Sequence, residues 1–580
     1  MKPAFPPLLL QLALLLLPLG LPLLVLGGLT CNPGRRLVKT ILPLTALPAL
    51  AAALFIETDT TLDLPWLFTG SRLGVDPAGQ VFLLFTSLIW LISGFRVRFD
   101  TRDDPLRSRF CAFFLATMMG NLGLILAQDM ATFFLFYALM SFSAYGMIVH
   151  HGTPDACRAG RIYLCLVLLG EVLVFAAMVC MANIAGGLTF SAVAPAVKSS
   201  LVVGLVFFGF GIKVGVLPLH VSLPLTYEAI PTAGGVALSG AMLNAGLLGW
   251  MRFVQPTEPH PGWGTLILLL GLSAAFFGVL VGLQQKTPRS LLAYSSISQM
   301  GFMTVVFGIG AAAPGLWPLA SAVLLIYALH HALAKAALYY GTDVAAGRGG
   351  DGWHRLLRFG LFLPAAALAG LPLTSGAVAK NALKTVALSS PWGEWLPPLL
   401  NLGAVGTALL MIRFVILVKG RKEAEAPHAG LWLPWGLLLF AVLVPVWFWP
   451  YARDALQSSL APSALWQAFW PAAAGGALAL GARYPAATRV FAVGIRIPPG
   501  DLVAWFEGIA RWLATLWKGM PSPESKDSLE RPAEALLRPR EGPGQSPCVG
   551  WLQTRLRGWV GVGLAFLGLV TTIYLVFLSQ

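Results

Sequence analysis

Charge is scarce in this chain, and acidic charge scarcest. Of 580 residues only 11% are charged, with 25 Asp and Glu against 39 Lys and Arg. An ordinary soluble domain has about a quarter of its residues charged, so that class is excluded. The six cysteines (Cys31, Cys111, Cys157, Cys165, Cys180, Cys548) form no CxxC pair and no His/Cys cluster. A disulfide framework and a thiolate-held metal or iron–sulfur centre are therefore not expected. Also missing are the GxxxxGK[ST] phosphate loop, the HExxH zinc motif and a nucleophile elbow. The chain is expected to have no catalytic centre, metal or cofactor of its own. The glycines of GFGIKVG (209–215) suit helix packing instead.

Apolar residues fill the space that charge leaves. The chain is 57% hydrophobic, and its mean hydropathy is +0.76. This is the composition of an all-α polytopic protein of the lipid bilayer. Windows long enough to cross a bilayer fall at 5–29, 38–56, 78–95, 109–127, 131–150, 160–183, 200–220, 233–254, 262–283, 290–309, 315–340, 359–389, 394–418, 429–449, 464–482 and 556–578. They predict about sixteen transmembrane helices. The first window is longer than a signal-peptide core and is read as a span.

The net charge of +14 does not require nucleic acid. Basic residues gather in loops after odd-numbered windows, such as RVRFDTRDDPLRSR, QKTPR and KGRKEAEAPH. The positive-inside rule then places these loops in the cytoplasm and both termini in the periplasm of a bacterial inner membrane. Beyond the fifteenth window, residues 502–516 carry apolar side chains at helical spacing, as a helix lying along a membrane surface or a neighbour does. Residues 521–548 read as a polar, Pro-rich connector.

Few ionisable residues lie within the windows, and each is costly there. A lysine at a helix centre costs about 2.5–3.5 kcal/mol on insertion scales, so such residues mark ion paths. Lys213 ends an apolar run and is followed by Pro218 and Pro224, which predict a broken helix with His220 at the break. Lys380 and Lys384 follow a similar break in the twelfth window. His330, His331 and Lys335 occupy the eleventh window, and Glu171 the middle of the sixth. His331 and Lys335 share a helix face, as do Lys380 and Lys384. Titratable groups in series, bridged by water, can relay protons. Lys384 is also placed to snorkel, and His330 and Glu171 to serve as structural partners. Two Pro-broken windows five apart predict two inverted five-helix repeats with discontinuous helices 7 and 12.

At these residues the sequence becomes recognisable. KVGVLPLHVSLP (213–224), PTAGGVALSGAMLNAGLLGWMRF (231–253), SLLAYSSISQMGF (290–302), HHALAKAALYYG (330–341) and LAGLPLTSGAVAK (368–380) stand in sequence. Together they resemble the proton-conducting antiporter-like membrane subunits. That family includes the large membrane-arm subunits of respiratory complex I, Mrp-type cation/proton antiporter subunits and the membrane subunits of formate hydrogenlyase and related hydrogenases. The resemblance spans about residues 105–390 and implies a core of about fourteen helices.

It further implies N-terminal helices over 1–104, a first repeat over 105–258 and a second over 259–420, then helices 14 and 15 over 421–483. An amphipathic and Pro-rich segment over 484–555 and a last helix over 556–580 would follow. Lys213 would be the lysine of a first half-channel, His331 and Lys335 its connecting axis, and Lys380 the exit lysine. Glu171, His220, His330, Lys384, Asn244 and Ser298 would assist. Implied partners are other membrane subunits, together with a peripheral redox or carbon-uptake module. The implied function is proton (or sodium/proton) translocation in a redox-driven complex resembling NADH-quinone oxidoreductase or hydrogenase. The alternatives are an ion-gradient-using subunit of an antiporter or carbon-uptake complex, a non-conducting scaffold, or an unrelated transporter of an organic substrate.

The sequence departs from the family at three points. Ala138 stands where the family carries glutamate, and Asn244 where it often carries lysine or histidine. Leu225 and Tyr227 replace an acid and a histidine of LPDAH. Glu171 is the expected substitute partner for Lys213.

Overall fold

Small polar residues followed by proline punctuate the chain, and they set the helix starts. Asp76 accepts from the Gly79 amide, Thr153 from Ala156 and Thr287 from Ser290, each with proline opening the helix. Such caps satisfy orphan amides, while proline has no amide to lose. The computed structural model describes residues 8–58, 60–65, 70–193, 198–345, 352–420, 429–448, 452–481, 497–500 and 502–503. Its contacts divide the chain at Ile497, and the part that follows is described only at 498–500 and 502–503. The amphipathic stretch beyond Val503, the Pro-rich connector and the window at 556–578 lie outside the described residues.

The helices, in order, are α1 (Leu8–Gly28), α2 (Asn32–Ile41), α3 (Leu47–Phe55), α4 (Pro77–Asp100), α5 (Arg107–Leu126), α6 (Met130–Ile148) and α7 (Pro154–Ala185). Next come the single turn α8 (Phe190–Val193), α9 (Ser200–Val214), α10 (Ser222–Ala229), α11 (Thr232–Ala237), α12 (Leu243–Phe253), α13 (Pro261–Gly282), α14 (Pro288–Ala312) and α15 (Trp317–Val344). The series closes with α16 (Gly352–Ala369), α17 (Ser375–Leu388), α18 (Leu396–Gly420), α19 (Trp432–Leu443), the short α20 (Pro445–Phe448), α21 (Arg453–Ser459) and α22 (Pro462–Gly481). A small antiparallel hairpin pairs β1 (Thr61–Leu64) with β2 (Ser71–Gly74).

Among the described residues, ten helices are long and apolar enough to cross a membrane. The chain is a multi-pass, predominantly helical membrane protein. Among the described residues the hydropathy windows up to 481 fall on helices, several of them interrupted, and the second is not one regular helix. There α2, a 3-10 turn at Leu42–Ala46 and α3 follow one another, with Pro43 and Pro48 at the joints.

Both expected breaks are present. α9 ends at Gly215 in the left-handed region (φ 85°), and the Leu217–Pro218 peptide is cis. Pro224, expected to help break this helix, instead lies in the first turn of α10, where a missing amide costs little. α16 stops at Gly370 (φ 84°), and Thr374 caps α17 through the Ala377 amide. Between α11 and α12 runs a π-helical turn, Leu238–Met242.

Close approach of α13 and α14 depends on glycine. A Cβ on Gly271 would lie 2.7 Å from the Gly301 carbonyl oxygen, and one on Gly301 would lie 2.5 Å from that of Gly271.

Hydrogen bonds and ion pairs show which loops share an end of the bundle. At one end Arg96 pairs with Asp100 (2.5 Å) and Asp343 (3.0 Å), while Thr232 donates to Asp343 (2.6 Å) and accepts from Arg289 (2.7 Å). At the other, Arg252 pairs with Asp76 (2.7 Å) and donates to the carbonyls of Leu124 and Ala127. Asp129, capping α6, takes the Arg72 amide at that same end. Loops after odd- and even-numbered windows therefore collect at opposite ends.

Candidate functional site

The C-terminal turn of α9 carries Lys213 into the interior, where 6% of it is exposed. Its ammonium donates to the Tyr163 hydroxyl at 3.0 Å, and Tyr163 donates in turn to the Ser141 carbonyl at 3.0 Å. The rings of Tyr163 and Tyr137 lie 5.0 and 5.8 Å from the Lys213 nitrogen. Aromatic faces attract a cation and offset part of its desolvation. Glu171, on the same helix as Tyr163, is buried near enough for its charge to act on Lys213. Among the described residues no direct ion pair joins the two, and neither carboxylate oxygen meets a partner at good hydrogen-bond geometry, the polar side chain close by being Ser141. Ala138, fully buried beside Tyr137, brings no polar atom to the site.

The helix that follows the break links this lysine to the next group. Gly246 of α12 packs on Lys213, since a Cβ there would lie 3.2 Å from the lysine Cβ. Two turns earlier, Gly240 packs on α15, its virtual Cβ 2.8 Å from the Ala332 carbonyl oxygen and 3.1 Å from the Ala336 Cβ. Asn244 lies between them, donating to the Gly240 carbonyl at 2.7 Å and leaving its own carbonyl oxygen without a partner among the described residues.

α15 brings His330, His331 and Lys335 to the centre. Lys335 is wholly buried and donates to the Leu292 carbonyl of α14 at 3.0 Å. Both His331 ring nitrogens lack a partner among the described residues. His330 Nδ1 lies 2.8 Å from the Ser375 hydroxyl, at the start of α17. One turn on in that helix, Lys380 reaches back across the break and donates to the Ala369 carbonyl at 2.9 Å. Lys384 and Lys380 line a cleft against α22, with the Lys384 nitrogen 3.4 Å from the Gln467 carbonyl.

Two sequence candidates stand apart from this row. Ser298 donates to the Ala275 carbonyl of α13 at 2.8 Å, a bond between packed helices rather than one toward the lysines. His220 sits in the 3-10 turn Leu219–Val221 with its ring edge-on to Phe277, 5.1 Å away.

The structure also adds polar groups that sequence patterning missed. Tyr163 is one. Another is the pair Tyr227 and Ser296, whose hydroxyls are 3.0 Å apart. Gln299 joins Tyr327 (2.9 Å) to Thr407 (3.1 Å) beside His330. Hydroxyls in an apolar window carry no charge signal, so only spacing against an unknown neighbour could have revealed them.

Known proteins are similar to this chain in sequence and in fold. Residues 127–397 match the family described as NADH:quinone oxidoreductase/Mrp antiporter, TM. Hydrogenase-4 component B of Escherichia coli (strain K12) is 26% identical over 300 residues, covering 49% of this chain and 44% of that protein. An Na(+)/H(+) antiporter subunit of Alkalihalophilus pseudofirmus is 27% identical over 333 residues, covering 54% and 66%. An NADH-quinone oxidoreductase subunit of Pseudomonas aeruginosa is 29% identical over 281 residues, covering 44% and 53%.

The chain spans about half the length of the curated relatives it matches. A chain of the Mrp complex from Dietzia sp. DQ12-45-1b shares the fold, with a TM-score of 0.72 at 23% identity over 98% of this chain and 69% of that one. The stretch 127–397, which holds Lys213, Lys335 and Lys380, belongs to the NADH:quinone oxidoreductase/Mrp antiporter family of membrane subunits.

Proposed function

We propose that this chain moves protons across a bacterial inner membrane as one subunit of a multisubunit complex, by passing charge between Lys213, the His331–Lys335 pair and Lys380. The observation that carries this reading is the continuity of the row. α12 packs on Lys213 through Gly246, the π-helical turn that leads into it packs on α15 through Gly240, and α15 meets the second broken helix through His330 and Ser375. Buried polar groups left without protein partners, as on His331, Asn244 and Glu171, are sites that water satisfies. Water between such groups completes a path for protons.

The same reading treats residues 105–258 and 259–420 as inverted repeats, with α9–α10 and α16–α17 as their equivalent broken helices, in a chain of about sixteen spans. The end holding Asp100, Thr232, Arg289 and Asp343 would face the cytoplasm. Near Lys213, Tyr163 and Glu171 together take the place of the carboxylate missing at Ala138. Tyr163 supplies the hydrogen bond and Glu171 the charge.

Redox chemistry in partner subunits would drive the movement, in keeping with the relatives named as hydrogenase and NADH-quinone oxidoreductase components. A second reading, use of an existing ion gradient, is favoured by the relative named as an Na(+)/H(+) antiporter subunit. The test substitutes Lys213, Lys335 and Lys380 separately by alanine in the assembled complex and follows pH changes in membrane vesicles. Proton movement is expected to fall by about tenfold or more in each. Full activity in all three would make the chain a scaffold.

A further inference from the structure

Tyr227 is completely buried near the end of α10, and the relay above makes no use of it. Its hydroxyl lies 3.0 Å from Ser296 Oγ, which itself donates to the Leu292 carbonyl at 3.1 Å. That carbonyl also accepts from Lys335, at 3.0 Å. Ser296 and Lys335 thus meet at one oxygen, and Tyr227 stands directly behind Ser296.

The tyrosine is held in place from several sides. Tyr339 donates to the Tyr227 carbonyl at 2.6 Å, and the two rings meet edge-on with centroids 5.5 Å apart. The Arg289 guanidinium covers Tyr339 at 5.3 Å. The neighbouring Glu228 is half-buried at the end of the bundle, where it accepts from the Ser290 amide (2.8 Å) and hydroxyl (2.7 Å) and from Thr287. Successive residues of α10 therefore offer a carboxylate toward water and a hydroxyl toward the central lysine.

We propose that the Tyr227 and Ser296 hydroxyls form the proton-uptake link to Lys335, opening at the end of the bundle that carries Glu228. This rests on the relay reading above. A hydroxyl both donates and accepts, so each can pass a proton on without keeping a charge. When Lys335 is a neutral amine, the Ser296 proton turns from the Leu292 carbonyl to the lysine nitrogen. Ser296 takes the Tyr227 proton, and Tyr227 takes one from a hydronium beside Glu228, leaving water. One N–H bond has formed, and both hydroxyls end as they began. Position 227 is one of those at which this chain departs from LPDAH, with an aromatic hydroxyl where the motif has histidine.

The test uses the complete chain in its complex, in membrane vesicles, at equal amounts of assembled protein. Tyr227→Phe and Ser296→Ala are each expected to slow proton movement by about tenfold or more. Tyr227→His is expected to keep the rate within about threefold and to add a pH dependence centred near the imidazole value of about 6.5. A tyrosine that only packed would give a Phe variant at the wild-type rate and a His variant with the wild-type pH profile. If Lys335→Ala is inactive while Tyr227→Phe or Ser296→Ala runs at the wild-type rate, the link is overturned and the relay stands. If Lys335→Ala is fully active, both fall. Should Tyr227→Phe fail to assemble, Ser296→Ala decides, because it removes one oxygen and little volume.

Discussion

Lys213 is hydrogen-bonded to Tyr163, not to a carboxylate, and the two residues come from helices that lie side by side. A phenol can share the lysine's proton without forming an ion pair, whereas Glu171, buried on the same helix as Tyr163, makes no direct ion pair with it. The two contributions are therefore separable.

Tyr163→Phe removes the lysine's hydrogen bond but keeps the ring beneath it. Proton movement is expected to fall about three- to tenfold, with assembly intact, as measured by pH-indicator quenching in vesicles. Glu171→Gln is expected to do as much or more. Adding Ala138→Glu to Glu171→Gln should restore part of the rate, because it returns a carboxylate to the helix that faces Lys213. No rescue would show that the Glu171 effect does not depend on charge beside Lys213.

At the second broken helix, His330 is tied to α17 through Ser375, and Lys380 lies one turn beyond. Ser375→Ala leaves His330 Nδ1 without that partner and is expected to slow proton movement a few-fold, while Lys380→Ala should stop it. Equal effects would mean that His330 is as essential as the lysine. Rates in inverted vesicles, read at several imposed pH gradients, separate the two outcomes.

Stability offers a check that is independent of transport. Gly301→Val places atoms where α13 approaches α14, with the Gly271 carbonyl oxygen 2.5 Å from the new Cβ. Overpacking of this kind costs about 1–3 kcal/mol. The midpoint of thermal unfolding in detergent is expected to drop by several degrees, whereas Gly262→Ala, with nothing within 4 Å, should leave it unchanged.

A pH-dependent contact lies outside the membrane. His150 Nε2 is 2.5 Å from Asp104, joining the loop after α4 to the turn after α6. Burial lowers the His150 pKa below its ordinary 6.5, outweighing the pull of Asp104. For Asp104, burial acts upward, but the Leu106 amide and His150 prevail and hold it below its ordinary 3.8. A depressed value means that the unfolded chain binds the proton first. Stability is thus complete above pH 6.5 and declines as His150 is forced to protonate below it, with the Asp104 contribution lost only below about 3.8. Melting curves between pH 7.5 and 5 should show this decline, and His150→Gln should flatten it.

Much of the fold is legible in the sequence because the bilayer forces it to be. An apolar window must be a helix there, and the glycine and prolines around Lys213 and Lys380 do accompany breaks, with one lysine just before its break and the other just after. Partners are not legible, since Tyr163 and Lys213 lie 50 residues apart and Tyr227 and Ser296 lie 69 apart. Serines show the limit clearly. Ser296 and Ser298 are two residues apart in α14, so at about 100° per residue they point to nearly opposite sides. Ser296 faces Tyr227, while Ser298, the candidate that the family resemblance implies, faces Ala275 and packs. The prolines near Lys213 carry the same ambiguity, because Pro224 falls where a helix begins rather than where one ends.

The π-helical turn at Leu238–Met242 sets the phase of everything after it. Such a turn holds one residue more than an α-helical turn, so α12 is rotated by one position relative to α11. That rotation is what presents Gly246, with no side chain, to the Cβ of Lys213. Were the turn wound as α-helix with no residue removed, α12 would rotate back and Ala245 would take the place of Gly246, pressing a methyl group toward the lysine. One extra residue in an uncharged turn thereby sets which side chain of α12 faces the buried amine.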